Sequence, residues 1–202
     1  MNTADQEFYG IYAEKLTQLE QLLATEIQKM LDSFSTDSET ALAEHVKTRV
    51  KDCDSLKEKL RRFHLTETPR EGLLHLTDIV GARVITHFIG DIYTVLDMIK
   101  ASDKWQVETV KDYIADPKPN GYRSMHVILR VPFDCGGIPT IGIEIQLRTI
   151  AQDCWASREH QLKYKKRIHN TELIVSELKR CADEMASTDL SMQTLRDMIN
   201  NM

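Results

Sequence analysis

No run of apolar residues in this 202-residue chain approaches the ~18 that a membrane helix requires, which excludes a helical membrane span as the reading. The first residues, Met1-Asn2-Thr3-Ala4-Asp5-Gln6-Glu7, lack the basic-then-apolar order of a secretory signal. A cytoplasmic protein without a membrane partner is the expectation. Cysteine is scarce and scattered: Cys53, Cys135, Cys154 and Cys181 form no CxxC pair, so neither a zinc site nor a disulfide framework is indicated, and reduced thiols are expected. With only 8 glycines and 5 prolines there is no tract of turn formers long enough to mark a linker or a disordered arm. An excess of positive charge is missing as well. The net charge of −5 argues against DNA as the main partner, because affinity for duplexes comes mostly from neutralising phosphates.

What remains is the composition of one globular unit, 42% hydrophobic and 28% charged, large enough for a full core plus helical extensions. The charge is unevenly spread. Residues 1–45 are acidic with few bases, whereas Lys47, Arg49, Lys51, Lys57, Lys59, Arg61 and Arg62 cluster directly after them, and Arg158, His160, Lys163, Lys165, Lys166 and Arg167 form a second group. Basic regions on an acidic protein suit small polyanions held in a cleft, with solvated helix faces accounting for part of each group.

Phe8, Tyr12, Leu16, Leu19, Leu23, Ile27 and Met30 recur at steps of three and four, which predicts an amphipathic helix over 5–33. Near Glu44 the period falls to two, so Val46, Thr48 and Val50 alternate with Lys47, Arg49 and Lys51 along a strand with a basic face. Ser55-Leu56-Lys57-Glu58 fits a capping box and is expected to open a short helix carrying Lys59 and Arg62. A strand over Ile79–Phe88, a helix over Asp91–Lys100 and a strand over Trp105–Ile114 follow. Asp116-Pro117-Lys118-Pro119-Asn120-Gly121 must be a loop. Strands at Met125–Val131 and Thr140–Leu147 flank a loop containing Cys135-Gly136-Gly137, and two helices close the chain, one from Ile150 to Lys166 and one bearing Ile174, Leu178, Cys181 and Met185. The fold class is α+β, a mixed sheet of about five strands flanked by helices. The expected layout is a single domain over 1–202, with an N-terminal helix (1–40), a catalytic core (44–166) and a C-terminal helical extension (170–202).

The strand Thr140-Ile141-Gly142-Ile143-Glu144-Ile145-Gln146-Leu147-Arg148 sends four large aliphatic residues to one face and Gly142, Glu144, Gln146 and Arg148 to the other. An edge strand alternates for solvation alone. So apolar a buried face instead suggests a central strand whose polar face lines a cleft. A second carboxylate, Asp78, stands at the entrance of the strand that continues Ile79-Val80-Gly81-Ala82-Arg83. An Arg–Asp pair accounts for such residues structurally, and two carboxylates on adjacent strands also suit Mg²⁺ with bound nucleotide phosphates. From Lys111 to His126 the chain gathers lysines, an Asn-Gly turn, tyrosines and a histidine within sixteen residues, offering charge for phosphates together with a surface for stacking.

Lys111-Asp112-Tyr113, then Asn120-Gly121-Tyr122-Arg123-Ser124-Met125-His126, then Glu144-Ile145-Gln146-Leu147-Arg148-Thr149, resemble in this order the synthetase domain of the RelA/SpoT family. The run from Asp153-Cys154-Trp155 to Lys165 resembles its short, single-domain members, and the resemblance extends over roughly residues 5–200. It implies a nucleotidyltransferase-like sheet and a (p)ppGpp synthetase that moves pyrophosphate from ATP to the ribose 3′-hydroxyl of GDP or GTP with Mg²⁺. By the same resemblance, Arg49 and Arg83 sandwich the adenine, while Lys51, Ser55 and Lys59 meet the ATP phosphates. Asp78 and Glu144 hold Mg²⁺, and Glu144 also draws the proton from the 3′-hydroxyl. Tyr122 stacks on guanine, with Lys111, Lys118, Asn120, His126 and Gln146 around the acceptor nucleotide. A carboxylate at Asp153 is able to accept from both N1–H and the 2-amino group of guanine, a pair of donors that adenine lacks. Thr109 stands where the long bifunctional relatives carry Arg, and the choice between GDP and GTP stays open. There is no His-Asp dipeptide of the family's hydrolase domain, so synthesis without hydrolysis is expected, and assembly as a homotetramer is implied by the short relatives. The alternative is a catalytically weak relative that senses guanine nucleotides or single-stranded RNA through the same cleft and Tyr122.

Overall fold

The computed structural model describes residues 1–37, 41–163 and 171–202. The N-terminal helix predicted as continuous is broken. Gly10 takes φ 51° and ψ −121°, so α1 (Thr3–Tyr9) stops there, a 3-10 turn (Gly10–Tyr12) redirects the chain, and α2 (Ala13–Asp37) follows. The apolar period survives the break, because Tyr9, Tyr12, Leu16, Leu19, Leu23, Ile27 and Leu31 are all buried. The turn has a purpose: it lets the Tyr9 hydroxyl donate to the Lys51 carbonyl at 2.7 Å and lets Asp5 accept the Cys53 N–H at 2.8 Å.

β1 (Ala43–Val50) leads into α3 (Cys53–Arg62), whose N-cap is Asp52 and not Ser55. The Asp52 carboxylate accepts the Ser55 N–H at 2.9 Å, which moves the start of the helix back and puts Ser55 in its first turn. A further helix not foreseen from the sequence, α4 (Pro69–His75), is capped by Thr68 and begins with proline, whose missing N–H costs nothing there. Then come β2 (Val80–Thr86), α5 (Ile89–Ala101), β3 (Gln106–Asp112), β4 (Met125–Cys135), β5 (Ile138–Thr149), α6 (Ile150–Lys163) and α7 (Thr171–Asn200). The last two strands are longer than expected because the loop between them is a tight hairpin. Asp134, Gly136 and Gly137 all have positive φ, and a Cβ on Gly136 would lie 2.4 Å from the Tyr12 ring. Residues 164–166 of the helix predicted from Ile150 to Lys166 lie outside the described residues.

The five strands form one sheet in the order β1-β2-β5-β4-β3, in which β2 and β5 are parallel and the other pairs antiparallel. The mixed α+β architecture and the central position of the Glu144 strand are as the sequence predicted. Ala82, Val84, Val127, Leu129, Ile143, Ile145 and Leu147 join one core with the buried residues of α2, α3 and α5. The opposite face of the sheet carries polar side chains. A smaller cluster of Trp155, Leu178 and Ala182 holds α6 against α7 beside it.

Candidate active site

Side chains two residues apart on a strand share a face, so the strand register lays out the site in rows. Lys47 pairs with Arg83, Arg83 with Gln146, Gln146 with His126 and His126 with Lys111. The neighbouring row runs Arg49, Gly81, Glu144, Ile128 and Thr109. Five residues that lie up to 99 positions apart in the chain, Lys47 to Gln146, thus form a polar stripe across one face. A cleft of ≈ 250 Å³ opens over it, lined by Arg49, Asp78, Gly81, Arg83, Glu144 and Gln146. Gly81 keeps its floor low, since a Cβ there would meet the Glu144 carbonyl at 3.0 Å. A second cavity of ≈ 460 Å³ shares Arg49 and Arg83 with the first and extends to Tyr122, Arg148 and the outer turns of α6.

Asp78 sits where β2 begins, between two lysines. Lys51 Nζ lies 3.0 Å and Lys59 Nζ 2.7 Å from the same oxygen, Oδ2. Burial raises the pKa of the Asp78 carboxyl, but the charge of Lys51 and the hydrogen bond and charge of Lys59 outweigh it and hold the group below the ordinary carboxylate range. Its other oxygen, Oδ1, is buried and has no hydrogen-bond partner among the described residues. An orphaned carboxylate oxygen beside a second carboxylate suits a hard divalent cation, which takes oxygen ligands and completes its shell with phosphate and water. The residues present therefore fit Mg²⁺.

Glu144 is gripped on both oxygens. His126 Nδ1 lies 3.1 Å from Oε2, and Gln146 Nε2 donates to Oε1 at 2.6 Å. Burial raises its pKa, and the His126 and Gln146 contacts more than reverse that, so Glu144 too is held below the ordinary range, with the nearby Asp78 charge acting against them. Tyr122 Oη lies 2.7 Å from His126 Nε2, and Lys118 Nζ sits 4.9 Å from the Tyr122 ring centre and 4.5 Å from that of Tyr113. Asn120 shapes the loop, its Oδ1 accepting the Tyr122 N–H at 3.2 Å while its Nδ2 donates to Glu159 at 3.3 Å.

The Arg–Asp pair that sequence reasoning weighed for Asp78 forms elsewhere. Asp153 Oδ1 receives Arg83 at 3.1 Å and Arg148 at 2.9 Å, so the residue expected at adenine and the residue expected at guanine touch each other. Arg49 is exposed on β1, Ser55 is exposed on the first turn of α3, and Lys111 lies on the far edge strand at the end of its row. The residue that sequence reasoning left without a role is Arg148. It is 4% exposed and bonds Tyr122, Gln146, Asp153 and Ser124. The alternation that put it on the polar face with Glu144 and Gln146 was the available signal.

With this geometry in view, the chain was compared with known proteins. The model of the region found in RelA/SpoT proteins matches residues 48–169. The GTP pyrophosphokinase YwaC of Bacillus subtilis is 43% identical over 141 residues, covering 69% of this chain and 67% of that protein. Small alarmone synthetase 1 of Bacillus subtilis, in a crystal structure bound to its product pppGpp, superimposes with a TM-score of 0.82 at 29% identity over 92% of this chain and 95% of that one. The same enzyme bound to AMPCPP gives a TM-score of 0.73 at 26% identity, covering 93% of this chain and 95% of that one. The matched region contains both cleft carboxylates together with Arg49 and Arg83, and by sequence and fold together this chain belongs to the RelA/SpoT family, among its small alarmone synthetases.

Proposed function

We propose that the protein is a Mg²⁺-dependent GTP pyrophosphokinase that makes (p)ppGpp from ATP and GDP or GTP. The observation that carries this reading is the pair Asp78 and Glu144 at one cleft, lined also by Arg49 and Arg83, with Lys51 and Lys59 paired to Asp78. In the reaction the 3′-hydroxyl oxygen of the guanosine attacks the β-phosphorus of ATP, the bond from that phosphorus to the α,β-bridging oxygen breaks, and AMP leaves. Glu144, kept ionised by its surroundings, takes the hydroxyl proton. Asp78 and Glu144 would hold Mg²⁺, which would supply positive charge against the charge that builds on the phosphoryl oxygens. Lys51 and Lys59, already aimed at Asp78, turn toward the triphosphate, and with Ser55 they hold it in line.

Arg49 and Arg83 stack on adenine, a use of planar guanidinium that lysine does not replace. Tyr122 stacks on guanine, Asp153 reads its N1–H and 2-amino edge, and Lys111, Lys118, Asn120, His126 and Gln146 surround the acceptor's ribose and phosphates. The protein works as a cytoplasmic homotetramer and carries no hydrolase activity. A pure nucleotide or RNA sensor has no use for two carboxylates beside phosphates, and that reading is not favoured. Incubation with ATP, Mg²⁺ and GDP or GTP tests the proposal: AMP and a 3′-pyrophosphorylated guanosine nucleotide should appear together in equal amounts. Release of inorganic pyrophosphate instead would mean nucleotidyl transfer and overturn it.

A further inference from the structure

Arg148 and Glu144 stand at opposite ends of a closed ring of hydrogen bonds. Arg148 Nη2 donates to Tyr122 Oη at 2.8 Å and to Gln146 Oε1 at 2.9 Å. Tyr122 Oη lies 2.7 Å from His126 Nε2, His126 Nδ1 lies 3.1 Å from Glu144 Oε2, and Gln146 Nε2 donates to Glu144 Oε1 at 2.6 Å. Two arms therefore run from one guanidinium nitrogen to the two oxygens of the carboxylate, one through Tyr122 and His126, the other through Gln146.

The chemistry of the end groups fixes the first and last bonds of each arm. A guanidinium only donates and an ionised carboxylate only accepts. Tyr122 accepts from Arg148, and with His126 neutral and its hydrogen on Nδ1, the nitrogen facing Glu144, the Tyr122 proton goes to His126 Nε2. Gln146 accepts on Oε1 and donates on Nε2. With that tautomer all five members are satisfied. Arg148 is itself immobilised, 4% exposed and tied by Nη1 to Asp153 at 2.9 Å and by Nε to Ser124 at 3.4 Å.

We propose that Arg148 is a positioning residue for Glu144, acting through this ring, and that the Tyr122 hydroxyl is the link joining the guanine platform to the base. The inference rests on the pyrophosphokinase reading. It gives Tyr122 two separable jobs. Its ring face stacks and its hydroxyl orients His126, which in turn holds Glu144 in the rotamer that meets the acceptor hydroxyl. Misplacing a base by a fraction of a bond length is costly because proton transfer depends on reach before anything else.

Tyr122→Phe separates the jobs, since it keeps the ring and removes the link. The expected result is a fall in kcat of about tenfold or more, with KM for the guanine nucleotide within about threefold of wild type and KM for ATP unmoved. Arg148→Met, which has no donor for either arm, should lose at least as much, and the double variant should be little worse than Arg148→Met alone, because both changes cut the same path. Imidazole nitrogen chemical shifts of His126 in the nucleotide-free protein give an independent readout: hydrogen on Nδ1 in wild type, and a mixture of tautomers in Tyr122→Phe. A Tyr122→Phe enzyme with wild-type kcat, beside an inactive Glu144→Gln, overturns the ring while leaving the transferase intact. If wild type itself makes no product, the transferase reading fails, and the His126 nitrogen pattern still decides for or against the ring.

Discussion

Two lysines sharing one oxygen of Asp78 make that residue a support of the fold as well as part of the site. Lys51 is buried and loses its counter-charge in Asp78→Asn, which should cost roughly 1–3 kcal/mol and, by removing a cation ligand, lower turnover by about 10²-fold or more. The pH dependence has a definite sign. The Asp78 carboxyl is depressed in the folded state, so its stabilisation is fully present above the ordinary carboxylate pKa and is lost as pH falls through the folded value. Denaturant titrations of wild type and Asp78→Asn should therefore differ at neutral pH and converge in acid. A constant difference would show that the lysine contacts carry no linkage. At this scale the sequence was informative about residue type and silent about partners. Asp78 and Glu144 were visible as carboxylates on strands, but that Arg83 meets Asp153 depends on how α6 leaves β5, which no local pattern encodes.

Among the elements, α3 matters most to the Asp78 end of the cleft because it carries Lys59 to that carboxylate. Its start is set by Asp52, so Asp52→Ala should cost about 1 kcal/mol, seen as a fall in melting temperature of roughly 2–4 °C, and should raise KM for ATP more than KM for the guanine nucleotide. Equal changes in both would mean that α3 does not act on the donor alone. The cap also shows why boundaries are hard to read. Asp52-Cys53-Asp54-Ser55 and Ser55-Leu56-Lys57-Glu58 are both plausible helix starts, and the choice between them is made by Asp5 accepting the Cys53 N–H from another element. Thr68-Pro69-Arg70-Glu71 carries a cap, a first-turn proline and an acidic third position, yet α4 went unpredicted because its one short turn of apolar residues shows no helical period of its own. The break at Gly10 was not legible either, because the apolar stripe continues through it unchanged.

At the scale of the molecule, the central place of β5 followed from its apolar face, whereas the strand order that brings Lys47, Arg83, Gln146 and His126 into one row is a property of long-range pairing alone. The last turns of α7 leave Leu195, Met198 and Ile199 exposed at 52%, 60% and 69%, an apolar stripe that suits burial against other copies. Light scattering behind size exclusion should report a tetramer, and Leu195→Glu with Ile199→Glu a smaller species. A tetramer undisturbed by both changes would place the contact elsewhere. Pyrophosphoryl transfer through Glu144 is tested by anion-exchange separation of the nucleotides formed by wild type and Glu144→Gln from ATP, Mg²⁺ and GDP or GTP. Wild type should give AMP with ppGpp or pppGpp, and the variant a loss of about 10²–10⁴-fold while its folded mass and nucleotide binding persist. Equal product from both proteins, or none from wild type while guanine nucleotides still bind, would contradict it.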